Sequence, residues 1–500
     1  MRLRAIWFLV PIGLFVLCGC TDKTNPWSAM AKTDLDYIKR MVEENHPGYV
    51  DSGNPQFKIT VEKSYQNVIG QLKYVQSLDA LMNLNNEFVA SFADDHFVVN
   101  FRFARSYRAW AGIKIQRSQG QYKVTRLAND WPVALPPLGA ELISCDDRSV
   151  NDIMRLDILR YRLANYSDDF PRVMFASKLL IDDGVGFRKN SIECVFRDQS
   201  AKEITLPIQW QASGDLGAEW DASRNSNSES FYLEPVGQSL FWVRASSFTF
   251  MTESAGLAKL RGVIATLADM NLTTDKTVVF DVRGNGGGSA LYGLQLLEAA
   301  LGRDNYWALW MNSALQDNNV NQVPKGVLWR ASQDNLDQIK KAVFRIHADD
   351  AVVPFFKTLA ADMEQDILQK KLFTLQPQIK LKGMPDNVRE VKEIKPLPRV
   401  VAITDHFCAS ACLDFIMAAS VIPNFLQLGE QTYADTAYNE PLHFAEPIEL
   451  PSKLGWFYYP SKIAGQRGPF TPKIIFDGDI NDTPALKNWV MGLPELNVTH

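Results

Sequence analysis

Residues 399–415 read RVVAITDHFCASACLDF. The first six, RVVAIT, are a short continuous apolar run, the pattern of a strand buried on both faces. Further on, Phe415, Ile416 and Ala419 recur at helical spacing. The chain must turn between these elements at Asp405–Cys408, so Ser410 is expected at or near a helix N-terminus. Unpaired N–H groups and the helix dipole favour developing negative charge there. Ala409 and Ala411 leave room for a carbonyl to approach the hydroxyl. This is the logic of a nucleophile elbow, although the GxSxG pattern is absent. A serine at a helix start also serves as a cap, and the stretch alone leaves both roles open.

Two other stretches carry chemistry. The segment DVRGNGGGS, residues 281–289, follows the buried strand TVVF. It lacks the Lys-Ser/Thr of a phosphate-binding loop and does not keep dinucleotide spacing. Its glycines can instead bring backbone N–H groups close to an oxyanion. In SFADDHF, His96 follows two carboxylates. A serine needs a neighbouring base to become nucleophilic, and His96 and His406 are the candidates among six histidines.

The strand and helix lengths from Ser239 onward alternate: LFWVRASSF, GLAKLRGVIATLADM, TVVFDV, YGLQLLEAALG, RVVAIT. That order argues for a layered α/β core. A long, mostly helical insertion at about 308–395 interrupts it. Residues 33–92 read as helices, with Leu35, Ile38, Met41 and Val42 on one face, and DDHFVVNFRF as a strand. Short strands with turn signals fill 109–155, and SIECVFRDQ with KEITLPIQW reads as a hairpin. With 500 residues, 46% apolar and 22% charged, the chain is a globular protein of two or three domains. A net charge of −5 without a basic run gives no reason to expect nucleic acid.

The first twenty residues differ. Two Arg precede the apolar AIWFLVPIGLFVL and then LCGC, which reads as a signal peptide and resembles a bacterial lipobox with Cys20 as the lipidated residue. Thr21 after Cys20 favours the outer membrane. The expected location is the cell envelope, lipid-anchored, facing the periplasm or the surface. Export permits disulfides among Cys145, Cys194, Cys408 and Cys412, in three pairings. On one continuous helix Cys408 and Cys412 would hold their Cβ atoms about 5–6 Å apart. A disulfide needs about 3.5–4.5 Å, so they bond only if the chain bends between them.

The order DDHF, a PDZ-like module, DVRGNGGG, CASAC, GEQTYADT and GPFTPKII resembles the carboxyl-terminal processing (tail-specific) serine peptidases, a superfamily that includes the tricorn core protease and the interphotoreceptor retinoid-binding proteins. The resemblance implies a multidomain α+β chain with a ClpP/crotonase-like α/β catalytic core. With the signal peptide at 1–20 read from its residues, the chain divides further into a tether and helical domain at 21–105, a PDZ-like module at 106–155 and a peptidase core at 156–500. It implies Ser410 as nucleophile and Gly287 and Ala411 as oxyanion donors. Asp435 stands where one branch carries a catalytic Lys, which excludes a Ser–Lys dyad. DDHF matches the tricorn-like branch and implies His96 as base. The Glu expected as third member falls at Gln466 or Arg467, so Gln466, Asp435 and Glu430 are candidates to orient His96, with Asp94 and Glu440 also in view. The implied function is peptide-bond hydrolysis on a peptide or protein substrate, without cofactor or metal, since neither CxxC pairs nor HExxH occur. The alternative is a binding protein on the same fold without turnover.

Overall fold

The computed structural model describes residues 25–496, apart from 106, 166–168, 188, 213–229, 250–253, 317–325, 346–351, 378–395 and 440–446. The signal peptide, Cys20 and Glu440 lie outside the described residues. Among the described residues, no helix is long and apolar enough to cross a membrane.

Three helices open the chain: α1 (Pro26–Asn45), α2 (Pro55–Gln71) and α3 (Leu78–Ala90). Pro26 occupies the first turn of α1, where its missing N–H costs nothing, and the Asn25 side chain caps the Trp27 N–H. The apolar stripe Leu35, Ile38, Met41 and Val42 is fully inward, as its spacing predicts. These helices do not bury that face against one another alone. Their cluster takes in Tyr438, Leu450, Phe457 and Tyr459 from the far end of the sequence. Strand β1 (Val98–Phe101) follows the DDHF turn and pairs antiparallel with Gly455–Tyr458.

A small sheet comes next, in the order β2 (Ile113–Ser118), β3 (Gln121–Leu127), β4 (Glu141–Cys145), β5 (Glu193–Arg197), β6 (Glu203–Pro207). The turn after β4 uses Asp146 and Asp147 with φ of 47° and 60°, the twist a tight hairpin requires. The 193–207 hairpin belongs to this sheet, so the small β unit extends well past residue 155. Its register sets Cys145 opposite Cys194, and the two form a disulfide with Cα atoms 4.0 Å apart.

The core sheet has the order β7 (Phe231–Val236), β8 (Leu240–Ala245), β9 (Thr277–Asp281), β10 (Arg399–Thr404), β11 (Leu426–Gly429), β12 (Ile474–Ile475). Only the β7–β8 pair is antiparallel. Helices α4 (Ala255–Asp269), α5 (Ala290–Leu301) and α6 (Ala411–Ala419) connect the parallel strands. They cover the face that carries Val243, Val278, Phe280, Val400 and Ala402. The alternate residues Trp242, Val279, Val401 and Ile403 pack against the C-terminal helix α7 (Thr483–Met491). Both faces are buried, which is why the strands read as unbroken apolar runs.

The insertion is mostly helical, as expected, with two short strands that the sequence did not announce. It carries the helices Arg303–Gln316, Gln333–Arg345 and Val352–Leu368, and also the strands Leu328–Arg330 and Phe373–Leu375. Leu328–Arg330 pairs with Lys462–Ile463, which stitches the insertion to the body by backbone hydrogen bonds.

Candidate active site

In open α/β sheets the crevice at the carboxyl ends of the parallel strands is the usual place for a site. Here β9 ends in the glycine turn and its neighbour β10 ends in the serine turn. The two turns are tied together: Ala409 N–H donates to Asn285 O at 3.1 Å, and Asn285 Nδ2 donates to Ala245 O at 3.0 Å. A Cβ on Gly287 would fall 2.6 Å from Ser410 Cβ and 2.9 Å from Ala411 N. Only a glycine lets the first turn close on the second, and its φ of 98° needs the same freedom. Gly288, at φ 126°, has no room either, because a Cβ there would meet Phe248 O at 2.0 Å.

Ser410 precedes α6 with φ 52° and ψ −120°, outside the regions open to ordinary side chains, and its hydroxyl makes no capping hydrogen bond. The serine therefore does not act as the helix cap that its position allows. Strain of this kind costs about 1–3 kcal/mol and persists only where surrounding contacts enforce it. Those contacts are visible: the Asn285 bond on one side, the Cys408–Cys412 disulfide around it, and Ser410 N–H donating to Asp435 Oδ1 at 3.3 Å. The chain bends between the two cysteines, so their Cα atoms stand 5.2 Å apart. Ala411 N–H, at the first position of α6, donates to no partner among the described residues. Gly287 N–H is differently placed, because it donates to Asn285 Oδ1 at 3.0 Å.

His96 joins this neighbourhood through charge. Its Nδ1 lies 3.5 Å from Asp95 Oδ1 and 3.7 Å from Asp94 Oδ1. No hydrogen bond links His96 to Ser410. Burial opposes charge on the imidazole, but Asp95, Asp94 and Asp435 outweigh it and raise its pKa, while Arg467 pulls the other way. Burial pushes the Asp95 carboxyl up to about 6, with repulsion from Asp435 and Asp94 added to it. Asp435 thus touches the Ser410 backbone and acts electrostatically on His96. It is held by Arg467, which also donates to Asp414 Oδ1 at 2.6 Å.

The other candidates separate. Gln466 is exposed. Glu430 stands beside His406, with Oε2 3.8 Å from Nε2, and burial together with Asp405 pushes its carboxyl up to about 8. Asp94 and Asp95, the residues that precede His96, are the carboxylates at its Nδ1. Sequence reasoning missed two partners. His46, the residue that ends α1 as its C-cap, backs Asp94, its Nε2 3.6 Å from Oδ2, and Arg467 bridges Asp414 and Asp435. Neither has a local signal, because each depends on segments far apart in the chain.

A scan of protein-family models matches none, and a search of curated proteins finds no similar sequence. Solved structures do match. The structure of mature CPAF complexed with lactacystin superposes with a TM-score of 0.54 at 12% identity, covering 94% of this chain and 99% of that one. Mature CPAF alone gives 0.54 at 12% identity, over 90% of this chain and 92% of that one. The photosystem II D1 C-terminal processing protease gives 0.35 at 14% identity, over 89% and 93%, and adds no argument about the fold. Over nearly the whole length of both chains, this protein shares the fold of mature CPAF.

Proposed function

We propose that this chain is a serine peptidase of the tail-specific type, and the conformation of Ser410 carries the reading. A serine forced to φ 52° at a strand-to-helix junction, uncapped and followed by the unspent Ala411 N–H, has the form of an exposed nucleophile. In this reading Ser410 Oγ attacks the peptide carbonyl carbon and His96 takes the hydroxyl proton. The carbonyl oxygen becomes an oxyanion held by Ala411 N–H and the glycine turn at Gly287. His96 then passes the proton to the departing amine, and water releases the acyl group from Ser410 by the same steps. Gly287 N–H takes part only by sharing or leaving Asn285 Oδ1. The Ser410–His96 hydrogen bond forms as substrate fills the crevice, as catalytic contacts often do. Asp94 or Asp95 orients the His96 ring, in place of Gln466, Asp435 or Glu430.

The ClpP/crotonase-like core spans 231–496, and the PDZ-like module runs from 106 to about 210. The substrate is a peptide or protein, and the enzyme sits in the bacterial cell envelope on a lipid at Cys20, which becomes the first residue when the signal peptide is cleaved after Gly19. Cys20→Ser is expected to move the protein out of the membrane fraction, and continued membrane association overturns the anchor.

A fluorophosphonate probe tests the chemistry. Labelling of the purified protein is expected to vanish in Ser410→Ala. The occupied Gly287 N–H and the missing Ser410–His96 bond favour a second reading, a peptide- or ligand-binding protein without turnover. Absence of Ser410-dependent labelling leaves that second reading standing.

A further inference from the structure

The DDHF turn holds more than a base. His96 Nδ1, Asp95 Oδ1, Asp94 Oδ2 and His46 Nε2 are all buried polar atoms without a hydrogen-bond partner among the described residues. The His96 side chain is nine-tenths buried, with 10% exposed, and Asp94 shows 1%. Unpartnered buried polar atoms are rare because each has given up its hydrogen bonds to water without a replacement. One ligand atom each from Asp94, Asp95 and His96 lies within 4.8 Å of the others. The Asp94 oxygen measured against His96 Nδ1 is Oδ1, which already accepts from the His96 N–H and Thr436 Oγ1, while the unpartnered Oδ2 faces His46. The His96 Nδ1 distances of 3.5 and 3.7 Å are too long for hydrogen bonds. They are close to the edge of a tetrahedral metal shell, where bonds of about 2.0–2.2 Å set ligand atoms roughly 3.3–3.6 Å apart.

Charge points the same way. Asp94 and Asp95 flank His96, and Asp435, which also acts on His96, shares the Arg467 guanidinium with Asp414, so carboxylates outnumber the cations around His96. His46 supplies an independent sign. It is fully buried, and its Nδ1 accepts the Gly48 N–H at 3.0 Å, so the hydrogen of the neutral ring sits on Nε2. That N–H aims at Asp94 Oδ2 from 3.6 Å, the arrangement of an outer partner steadying a metal-binding carboxylate.

We propose that Asp94, Asp95 and His96 bind one divalent transition-metal ion of the zinc class, and that this ion blocks His96 as a base. One imidazole nitrogen with two carboxylates suits zinc or manganese better than calcium or magnesium. Asp95 is the most exposed of the three, at one-quarter. The blocking follows from proton bookkeeping. When the Nδ1 lone pair goes to the metal, the neutral ring keeps its hydrogen on Nε2. No lone pair then remains for the Ser410 proton. The metal-binding half stands on the geometry alone, and the blocking half rests on the peptidase reading.

The test loads chelator-stripped, full-length protein with zinc chloride and counts bound zinc after dialysis. All four cysteines among the described residues are in disulfides and do not compete for it. One zinc per chain is expected in the wild type and in Ser410→Ala. Affinity is expected to fall roughly tenfold or more in Asp95→Asn and in His96→Gln, with folding checked by thermal melting. Fluorophosphonate labelling of the wild type is expected to fall with zinc and return with chelator. No wild-type binding, or binding indifferent to Asp95→Asn, overturns the site. Zinc bound through Asp95 with labelling undiminished overturns the blocking. Zinc bound through Asp95 in a protein that never labels upholds the site and removes the peptidase reading instead.

Discussion

Two buried charge clusters flank the glycine turn, and they are built on opposite terms. In the first, Asp281 accepts from Arg283 Nε at 2.8 Å and Nη2 at 2.6 Å, from Arg244 Nη1 at 3.2 Å and from Trp242 Nε1 at 3.2 Å. Its arginines go on to backbone oxygens of Asp281, Arg283 and Ile480. Burial alone would raise the Asp281 pKa, but Arg244 and Arg283 hold it below the usual carboxylate value. In the second cluster, Asp94, Asp95, His96 and His46 each keep an unpartnered atom, and Ser410 nearby sits in a strained backbone conformation. The first has its hydrogen bonds complete and fixes the turn. The second keeps donors, acceptors and strain in reserve, which is where chemistry is to be sought.

The largest effect should come from breaking the complete cluster. Asp281→Ala leaves two buried guanidiniums without their shared carboxylate, and removing one partner of a buried pair costs about 3–5 kcal/mol. Chemical denaturation of Asp281→Ala beside Asp95→Ala measures this, with the Asp95 change expected to cost far less. Equal losses at the two sites would erase the distinction between the clusters.

A smaller effect sits at the margin of the complete cluster. Glu430 is pushed up from 4.5 to about 8, chiefly by burial and then by Asp405. Below pH 4.5 the folded and unfolded chains both hold its proton. Between 4.5 and about 8 the unfolded chain gives the proton up while the folded chain keeps it, so stability drains away as pH rises through that window. The loss should be a few kcal/mol, at about 1.4 kcal/mol for each pH unit of the window. Glu430→Gln, neutral throughout, should flatten this part of the melting temperature against pH. An unchanged slope in Glu430→Gln would place the titration elsewhere.

The same contrast explains what the sequence could tell. The core strands are legible because TVVF and RVVAIT are buried on both faces, and the elbow because small residues crowd around Ser410. DDHF puts His96 beside its carboxylates within three residues. The Cys145–Cys194 pair, by contrast, depends on the register of strands 49 residues apart. The link from His46 to Asp94, and that from Arg467 to Asp435, depend on the packing of the N-terminal helices against C-terminal segments. Such contacts leave no periodic trace. The helical reading of the insertion missed the strands Leu328–Arg330 and Phe373–Leu375, each too short to show alternation.

The smallest expected effect is the most direct measure of what the second cluster holds back. Ser410 has φ 52° and ψ −120°, a conformation that glycine adopts freely and alanine does not. If the surrounding contacts impose that geometry, Ser410→Gly relieves strain of about 1–3 kcal/mol but gives back part of it through the greater freedom of the unfolded glycine chain. The net gain should be about 1 kcal/mol, read as a rise of roughly one or two degrees in melting temperature for a chain of this size. Ser410→Ala removes the hydroxyl and keeps the Cβ, so it serves as the control and should melt close to the wild type. Stabilisation confined to the glycine variant means the fold holds the serine against its backbone preference. Equal melting temperatures for the glycine and alanine variants would show that the turn holds no strain, and Ser410 would then lose the feature that sets its cluster apart from the complete one around Asp281.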